Sequence, residues 1–306
     1  MKPLIILAGP TASGKTSLSI ELAKRLGGEI ISADSMQVYR GMDIGTAKVT
    51  KEEMDGIPHH LVDIIEPSEP WNVMRFCELA AAAIDDICDR GRIPIVVGGT
   101  GFYIHALAYG AEFDEEPDDP ALRKSLEQLS EEALHEKLQA VDPEAAAAIH
   151  PNNKKRVIRA LEYFEHTGEK ISVLNARLKQ KPSPYQLAYL VLDWPRSVLY
   201  ERIDRRVDLM MEAGLLEEVK RLQSQGFTKD MVSMKGLGYK EILDYLDGAY
   251  SLEDAVYILK RDTRHFAKRQ ITWWKGEKDA VFLPCEPKET LTERAIEIIR
   301  ERGIIQ

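Results

Sequence analysis

Cysteine is scarce in this chain: Cys77, Cys88 and Cys285 are the only three in 306 residues, and they lack metal-ligand spacing. That odd, scattered set excludes a disulfide scaffold and a cysteine-held zinc module, and a reducing cytoplasm is the expected compartment. Long apolar runs are missing as well. The run at residues 4–8 is too short for a secretory core or a membrane span, so it reads as a buried strand and gives no argument for export or for a membrane partner. There is no internal repeat, and the one low-complexity tract, 145–148, is four alanines, simply a good helix former. Excess positive charge is absent too: the formal balance is −9, which taken alone speaks against a nucleic-acid partner.

The distribution of charge changes that reading. Residues 111–148 hold twelve acids and three bases, which accounts for the whole imbalance. Residues 150–181 hold eight bases and three acids, and 260–278 seven bases and two acids. Two basic regions of this kind suit a polyanion, although solvated helix faces produce the same segregation.

Periodicity supplies the architecture. Residues 4–8, 29–34, 93–97 and 189–192 read as strands. Leu18, Leu22 and Leu26 mark an amphipathic helix over 15–26, and Phe76, Leu79, Ala80, Ala83, Ile84 and Ile87 another over 74–89. Strands alternating with helices predict an α/β fold with a parallel sheet covered on both faces. The stretch 112–120, acidic and with two prolines, reads as a linker or exposed crossing. From 121 to 178 only helical patterns occur, closed by Lys181-Pro182-Ser183-Pro184. The expected organisation is a core of residues 1–113 and 185–306 with an all-helical insertion at 114–184.

Gly9, Pro10, Thr11, Ala12, Ser13, Gly14, Lys15 and Thr16 fit G-x-x-x-x-G-K-[ST] between the first strand and the first helix. Glycines allow the tight turn and aim backbone N–H groups inward. The helix N-terminus adds partial positive charge, Lys15 a point charge, and the Thr16 hydroxyl a ligand for Mg2+. This is a P-loop NTPase-like core, and the loop is a di- or triphosphate cradle whose chemistry also admits ATP. The equipment of a nucleotidase is otherwise thin. No acid ends the strand at 93–97, and no N-K-x-D guanine reader follows.

A second cluster, Asp34-Ser35-Met36-Gln37-Val38-Tyr39-Arg40, follows the second strand, where open parallel sheets bind ligands. By position and type Asp34 reads equally as a water-mediated Mg2+ partner, a general base or an N-cap. His59 and His60 sit in a loop, where packing is the better reading than metal ligation.

With these blocks in place, the sequence resembles the bacterial tRNA dimethylallyltransferases. The matching residues are 9–16, 34–48, Pro58-His59-His60-Leu61 with Asp63, 97–103, Asn153 with Arg156-Val-Ile-Arg159-Ala-Leu-Glu162, Gly236-Leu237-Gly238-Tyr239 and Lys268-Arg269-Gln270-Ile271-Thr272-Trp273. They run in order over nearly the whole chain. The resemblance implies transfer of a dimethylallyl group from dimethylallyl diphosphate to N6 of the adenosine 3′-adjacent to the anticodon, in tRNAs reading codons that start with U. It implies Mg2+ as cofactor, the tRNA anticodon stem-loop as partner, and a monomer. Asp34 matches the family's catalytic aspartate, and Thr100 and Arg206 match residues used around the diphosphate and the reacting base. Ser35, Met36, Gln37, Arg123, Lys155, Arg156, Arg159, Arg269 and Gln270 fall at positions facing tRNA, Lys155 standing where some members carry Gln. Without the family, Thr100 is a turn residue, Arg206 a salt-bridged helix arginine and Arg123 one base in an acidic segment. The aromatic pair Trp273 and Trp274 reads as core more readily than as a stacking platform.

Three rivals remain. A small-molecule kinase shares the phosphate loop and a helical lid but does not need the 34–37 block. An adenylate isopentenyltransferase performs the same chemistry on a free nucleotide and resembles the N-terminal blocks. A non-catalytic RNA-binding P-loop protein has no use for Asp34.

Overall fold

The structure is a computed structural model that describes residues 1–110, 119–287 and 290–306. The acidic crossing expected at 112–120 lies, for its greater part, outside the described residues. Two compact units are present: Met1–Ala108 with Pro184–Gln306, and Tyr109–Ser183.

The first unit is built on six parallel strands in the order β3-β2-β4-β1-β5-β6: β1 (Lys2–Ala8), β2 (Gly28–Ser32), β3 (His59–His60), β4 (Ile93–Gly98), β5 (Tyr185–Asp193) and β6 (Ala280–Pro284). Leu4, Ile5, Ile6 and Leu7 are all fully buried in the central β1. Each such side chain contributes roughly 1.5–3 kcal/mol, and only a strand covered on both faces can be apolar at every position. Helix α1 (Lys15–Leu26) packs Leu18 and Leu22 against one face. Helices α2 (Lys51–Met54) and α3 (Val73–Asp89) follow, the latter burying Phe76, Ala80, Ile84 and Ile87. Then α4 (Gly101–Tyr109) leads towards the second unit.

The described residues of that unit form helices joined by short turns, with no strand among them: α5 (Pro120–Glu127), α6 (Glu131–Val141), α7 (Pro143–Ala148), α8 (Lys154–Thr167) and α9 (Ile171–Gln180). Leu134, Leu138, Val157 and Leu161 anchor its own small core. The buried Asp142 fixes the α6–α7 corner, accepting from Ala145 N–H (3.0 Å), Ser172 N–H (2.9 Å) and the Ser172 hydroxyl (2.7 Å). Burial raises its carboxyl, but these bonds from Ser172 and Ala145 outweigh it and hold the group below its ordinary range.

The chain re-enters the first unit at β5 and finishes with α10 (Arg196–Glu212), α11 (Leu215–Ser224), a 3₁₀ turn (Ser233–Lys235), α12 (Tyr239–Leu246), α13 (Leu252–Trp274) and α14 (Leu291–Glu301). Gly214, at φ 100°, provides the left-handed residue that separates α10 from α11.

Three details differ from the sequence reading. Strand β2 ends at Ser32, so Asp34 lies in the loop beyond it rather than on the strand. His59 and His60 form the two-residue β3, pairing with Ile30 and Ile31, rather than a loop. Strand β6 was not foreseen, because it follows a charged stretch and ends at Pro284, a residue that only a sheet edge tolerates.

Candidate active site

The loops leaving β1, β2 and β4 meet at the carboxyl edge of the sheet and line a cleft of about 830 Å3. On one side lies the loop at 9–16. Ala12 takes φ 61° and Gly14 φ 92°, so the chain turns through left-handed positions before α1 begins. Its carbonyls are taken by donors. Lys15 Nζ donates to Gly9 O (2.9 Å) and Pro10 O (2.8 Å), Arg202 Nε to Ala12 O (2.8 Å) and Trp194 Nε1 to Ser13 O (2.8 Å). Arg202 also covers the Trp194 ring, 4.6 Å from its centroid. The N–H groups of Ala12, Gly14, Lys15 and Thr16 donate to no described residue, and the buried Ser13 hydroxyl has no hydrogen-bond partner among the described residues. A turn whose carbonyls are occupied and whose neighbouring amides at Ala12, Gly14, Lys15 and Thr16 are not is suited to an anion.

Across the cleft, Asp34 Oδ1 accepts from Met36 N–H (2.8 Å) and Gln37 N–H (3.3 Å), while its second oxygen accepts from no described residue. Thr100 Oγ1 accepts from Ser35 N–H (3.2 Å), tying the β4 loop to the β2 loop. Gln37 Nε2 donates to Thr46 O and Ala47 O, both 3.3 Å. The turn carrying those carbonyls is held from far along the chain. The buried Glu218 carboxylate accepts from three successive amides, Asp43 (3.0 Å), Ile44 (2.9 Å) and Gly45 (3.1 Å), and from the Tyr239 hydroxyl (2.7 Å). A Cβ at Gly45 would stand 2.6 Å from the Tyr239 ring, so glycine is required there. Burial first, then the Glu218 charge, push the Tyr239 phenol far up. The buried Lys48 ammonium binds Tyr39 O (2.6 Å), Asp43 Oδ1 (2.8 Å) and the Asp63 carboxylate.

Two cations complete the cleft. Burial, reinforced by the nearby Arg206 charge and opposed by Asp34, pulls the Lys15 ammonium down to about 7. Burial likewise lowers Arg206, with the Asp34 carboxylate opposing it. Arg206 forms no hydrogen bond or ion pair with a described residue, so it is not a salt-bridged helix arginine.

The structure therefore gathers Thr11 through Thr16, Asp34, Ser35, Met36, Gln37, Thr100, Arg206, Arg269 and Gln270 around one cleft. Gln270 is not placed as a reader of base edges: it is 6 % exposed, and its amide is committed to Thr11 N–H and Gly99 O. Arg269, one residue earlier, is exposed. Trp274 is fully buried edge-on to Tyr189, which makes it core, while Trp273 packs against Phe102 and His105. In the second unit Lys155, Arg156 and Arg159 are exposed on α8, and Lys154 is spent on Glu127 O and Leu129 O. Arg123 grips the Glu162 carboxylate with two bonds (2.9 and 2.7 Å). The histidines serve packing: His59 Nδ1 meets Ile57 O (2.8 Å), and His60 Nε2 meets the Glu29 carboxylate (2.8 Å). Sequence reasoning missed Trp194, Arg202, Glu218 and Lys48. Trp194, Arg202 and Glu218 hold backbone 173–190 residues away, which no spacing advertises, whereas the Lys48 partners are local and its place in the 34–48 block carried no role of its own.

A family model described as IPP transferase matches residues 37–277, and one described as Isopentenyl transferase matches 2–63. The chain is 55 % identical to a tRNA dimethylallyltransferase of Lachnoclostridium phytofermentans, with all of both chains covered. It is 50 % identical to that of Geobacillus thermodenitrificans, covering 97 % of this chain and 95 % of the relative. Among solved structures it is similar to a tRNA isopentenylpyrophosphate transferase from Bacillus halodurans (46 % identity, TM-score 0.76, 99 % and 98 % covered). It is also similar to a eukaryotic dimethylallyltransferase acting on tRNA (34 % identity, TM-score 0.85, 100 % and 81 % covered).

Proposed function

This chain belongs to the tRNA dimethylallyltransferase family, and from that premise we propose that it moves a dimethylallyl group from dimethylallyl diphosphate to N6 of the adenosine 3′-adjacent to the anticodon, in tRNAs reading codons that start with U. The observation that carries this reading is the meeting, in one cleft, of an amide-lined phosphate loop and a carboxylate with one free oxygen. Adenine N6 is a weak nucleophile because its lone pair is delocalised into the ring. The reaction therefore needs a leaving group stabilised as its charge grows, and a base at the amine.

The N6 lone pair forms the N6–C1 bond while the C1–O bond of the diphosphate breaks, and its electron pair leaves on pyrophosphate. One N6 proton, made acidic by the new bond, passes to the free oxygen of Asp34. The amides of Ala12, Gly14, Lys15 and Thr16 at the N-terminal end of α1, the Lys15 ammonium and Arg206 receive the departing charge; an arginine fork can bond two phosphate oxygens at once. An anionic diphosphate beside Lys15 favours its protonated form and so reverses the lowering caused by burial.

Mg2+ is the cofactor this reading calls for. The Thr16 hydroxyl bonds to no described residue and is exposed in the first turn of α1, and it is the hard oxygen donor that Mg2+ accepts. An ion held by Thr16 would supply further positive charge to the leaving group.

Reaching the adenosine requires extruding it from the anticodon loop, and the exposed bases of α8 suit backbone phosphates. No helix among the described residues is long and apolar enough to cross a membrane. Kinship with tRNA-modifying enzymes supports a cytoplasmic location, and a monomer is the form we propose.

Labelled dimethylallyl diphosphate incubated with unmodified tRNA or with AMP tests the reading. Label is expected in tRNA alone. Label only in AMP would assign the free-nucleotide reaction, which the match at 2–63 keeps in view, and label in neither would overturn the transferase reading.

A further inference from the structure

Helix α13 carries a glutamine where its buried stripe otherwise holds Ala267 and Trp274. Burying an amide costs free energy unless its donor and acceptor are both satisfied. Here both are: Gln270 Oε1 accepts from Thr11 N–H (2.9 Å), and Nε2 donates to Gly99 O (2.8 Å). These partners fix the orientation of the amide, since a reversed head would set donor against donor and acceptor against acceptor.

The two partners belong to different halves of the cleft. Thr11 is in the phosphate loop after β1, and Gly99 begins the loop after β4, with Ala8 and Gly98 paired in register on adjacent strands. Gly99 has no side chain to keep the amide away; a Cβ there would overlap Gln270 Nε2. Next along the chain, the Thr100 hydroxyl receives Ser35 N–H, and Asp34 precedes Ser35. An unbroken path thus runs from the phosphate loop through Gln270 to the loop that carries Asp34.

We propose that Gln270 is a positioning residue, a two-sided brace that sets the spacing between the diphosphate cradle and the base-side loop, and that it does not read the tRNA. The proposal rests on the transferase reading above. In that reaction the attacking nitrogen, the transferred carbon and the leaving oxygen must align, and a misplacement of about 1 Å costs on the order of 100-fold in rate. The brace acts on alignment, so its loss appears in turnover rather than in the affinity for tRNA. Its chemistry is also restrictive. Methionine fills the same volume with neither bond, and asparagine is one methylene too short to reach both partners.

Two variants test this in the full chain, Gln270→Met and Gly99→Ala, the second displacing the amide head from the opposite side of its bond. For each, kcat and KM are measured with unmodified tRNA and labelled dimethylallyl diphosphate, tRNA binding is measured separately, and thermal melting reports the folded fraction. The expected result in both is a kcat lowered about 100-fold, with tRNA affinity within about twofold of the parent and a folded protein at the assay temperature. A tRNA KM and Kd raised about tenfold with kcat retained would make Gln270 a base reader and overturn the brace. A kcat within about twofold of the parent for Gln270→Met would show the brace to be dispensable, and a kcat loss that tracks the unfolded fraction would reduce it to ordinary packing; either overturns it. If the unaltered chain transfers no label, the transferase reading itself fails and the catalytic role of the brace falls with it, an outcome distinct from the other three.

Discussion

The loop at 9–16 and the turn at 43–47 line the same cleft with backbone of opposite polarity. Around the first, distant side chains are mainly donors: Trp194 and Arg202 take carbonyls, with Lys15 adding two more, and the amides of Ala12, Gly14, Lys15 and Thr16 are left for an anion. Around the second, the distant side chain is an acceptor. Glu218 takes three successive amides, and the carbonyls are left for the Gln37 head. One nest is open to a ligand and the other is filled by the protein's own carboxylate. A run of inward amides is therefore no proof of a ligand site; what decides is whether the chain supplies the anion itself.

The largest effect expected is on the chemistry both regions serve. Asp34→Ala should lower transfer by about 10³–10⁴-fold, with tRNA binding in a filter assay little changed. A comparable loss of binding would move Asp34 from base to recognition. Next is the open nest: Lys15→Met should weaken inhibition by pyrophosphate about 100-fold, because one point charge and two carbonyl ties are lost together. The filled nest gives a smaller, different signature. Glu218→Ala strands three amides and a phenol, costing about 3 kcal/mol of stability, and formate should restore part of the melting temperature by refilling the nest. No response to formate would break the comparison.

The smallest effect concerns a carboxylate held by cations instead of amides. The Arg90 fork beside Glu29, opposed by burial and helped by His60, holds that carboxyl down at about 2. A depressed folded value means that its contribution is complete above the unfolded value near 4.3 and fades as pH falls towards 2. With Arg90 partly exposed, about 2 kcal/mol should be lost across that window, and Glu29→Gln should flatten it in thermal melts.

How much of this was legible depends on how local the cause is. The phosphate loop, β1 and the all-helical 121–178 region follow from contiguous residues, so spacing finds them. Asp34 was placed by its position after a strand, although its loop setting required the structure. The Glu218 nest was invisible because its partners lie 173–175 residues away. The resemblance over Lys268–Trp273 puts Gln270 among the positions facing tRNA, whereas its amide is buried against Thr11 and Gly99. The available signal was helical phase: Ala267, Gln270 and Trp274 fall at i, i+3 and i+7, a buried stripe, and Arg269 lies off it. Arg123 was read as a tRNA contact, yet the pairing with Glu162 across α5 and α8 is what the structure shows.

The phase of α13 has one more consequence. Arg269 at the cleft, Gln270 between two loops, Trp273 beside Gly101 and Trp274 in the core are set by successive turns of one rigid rod. Adding or deleting a single residue upstream of them within the helix would rotate all four by about 100° at once. Sequence length is therefore frozen along this segment even where individual side chains can vary, and a one-residue indel there would be more damaging than most substitutions.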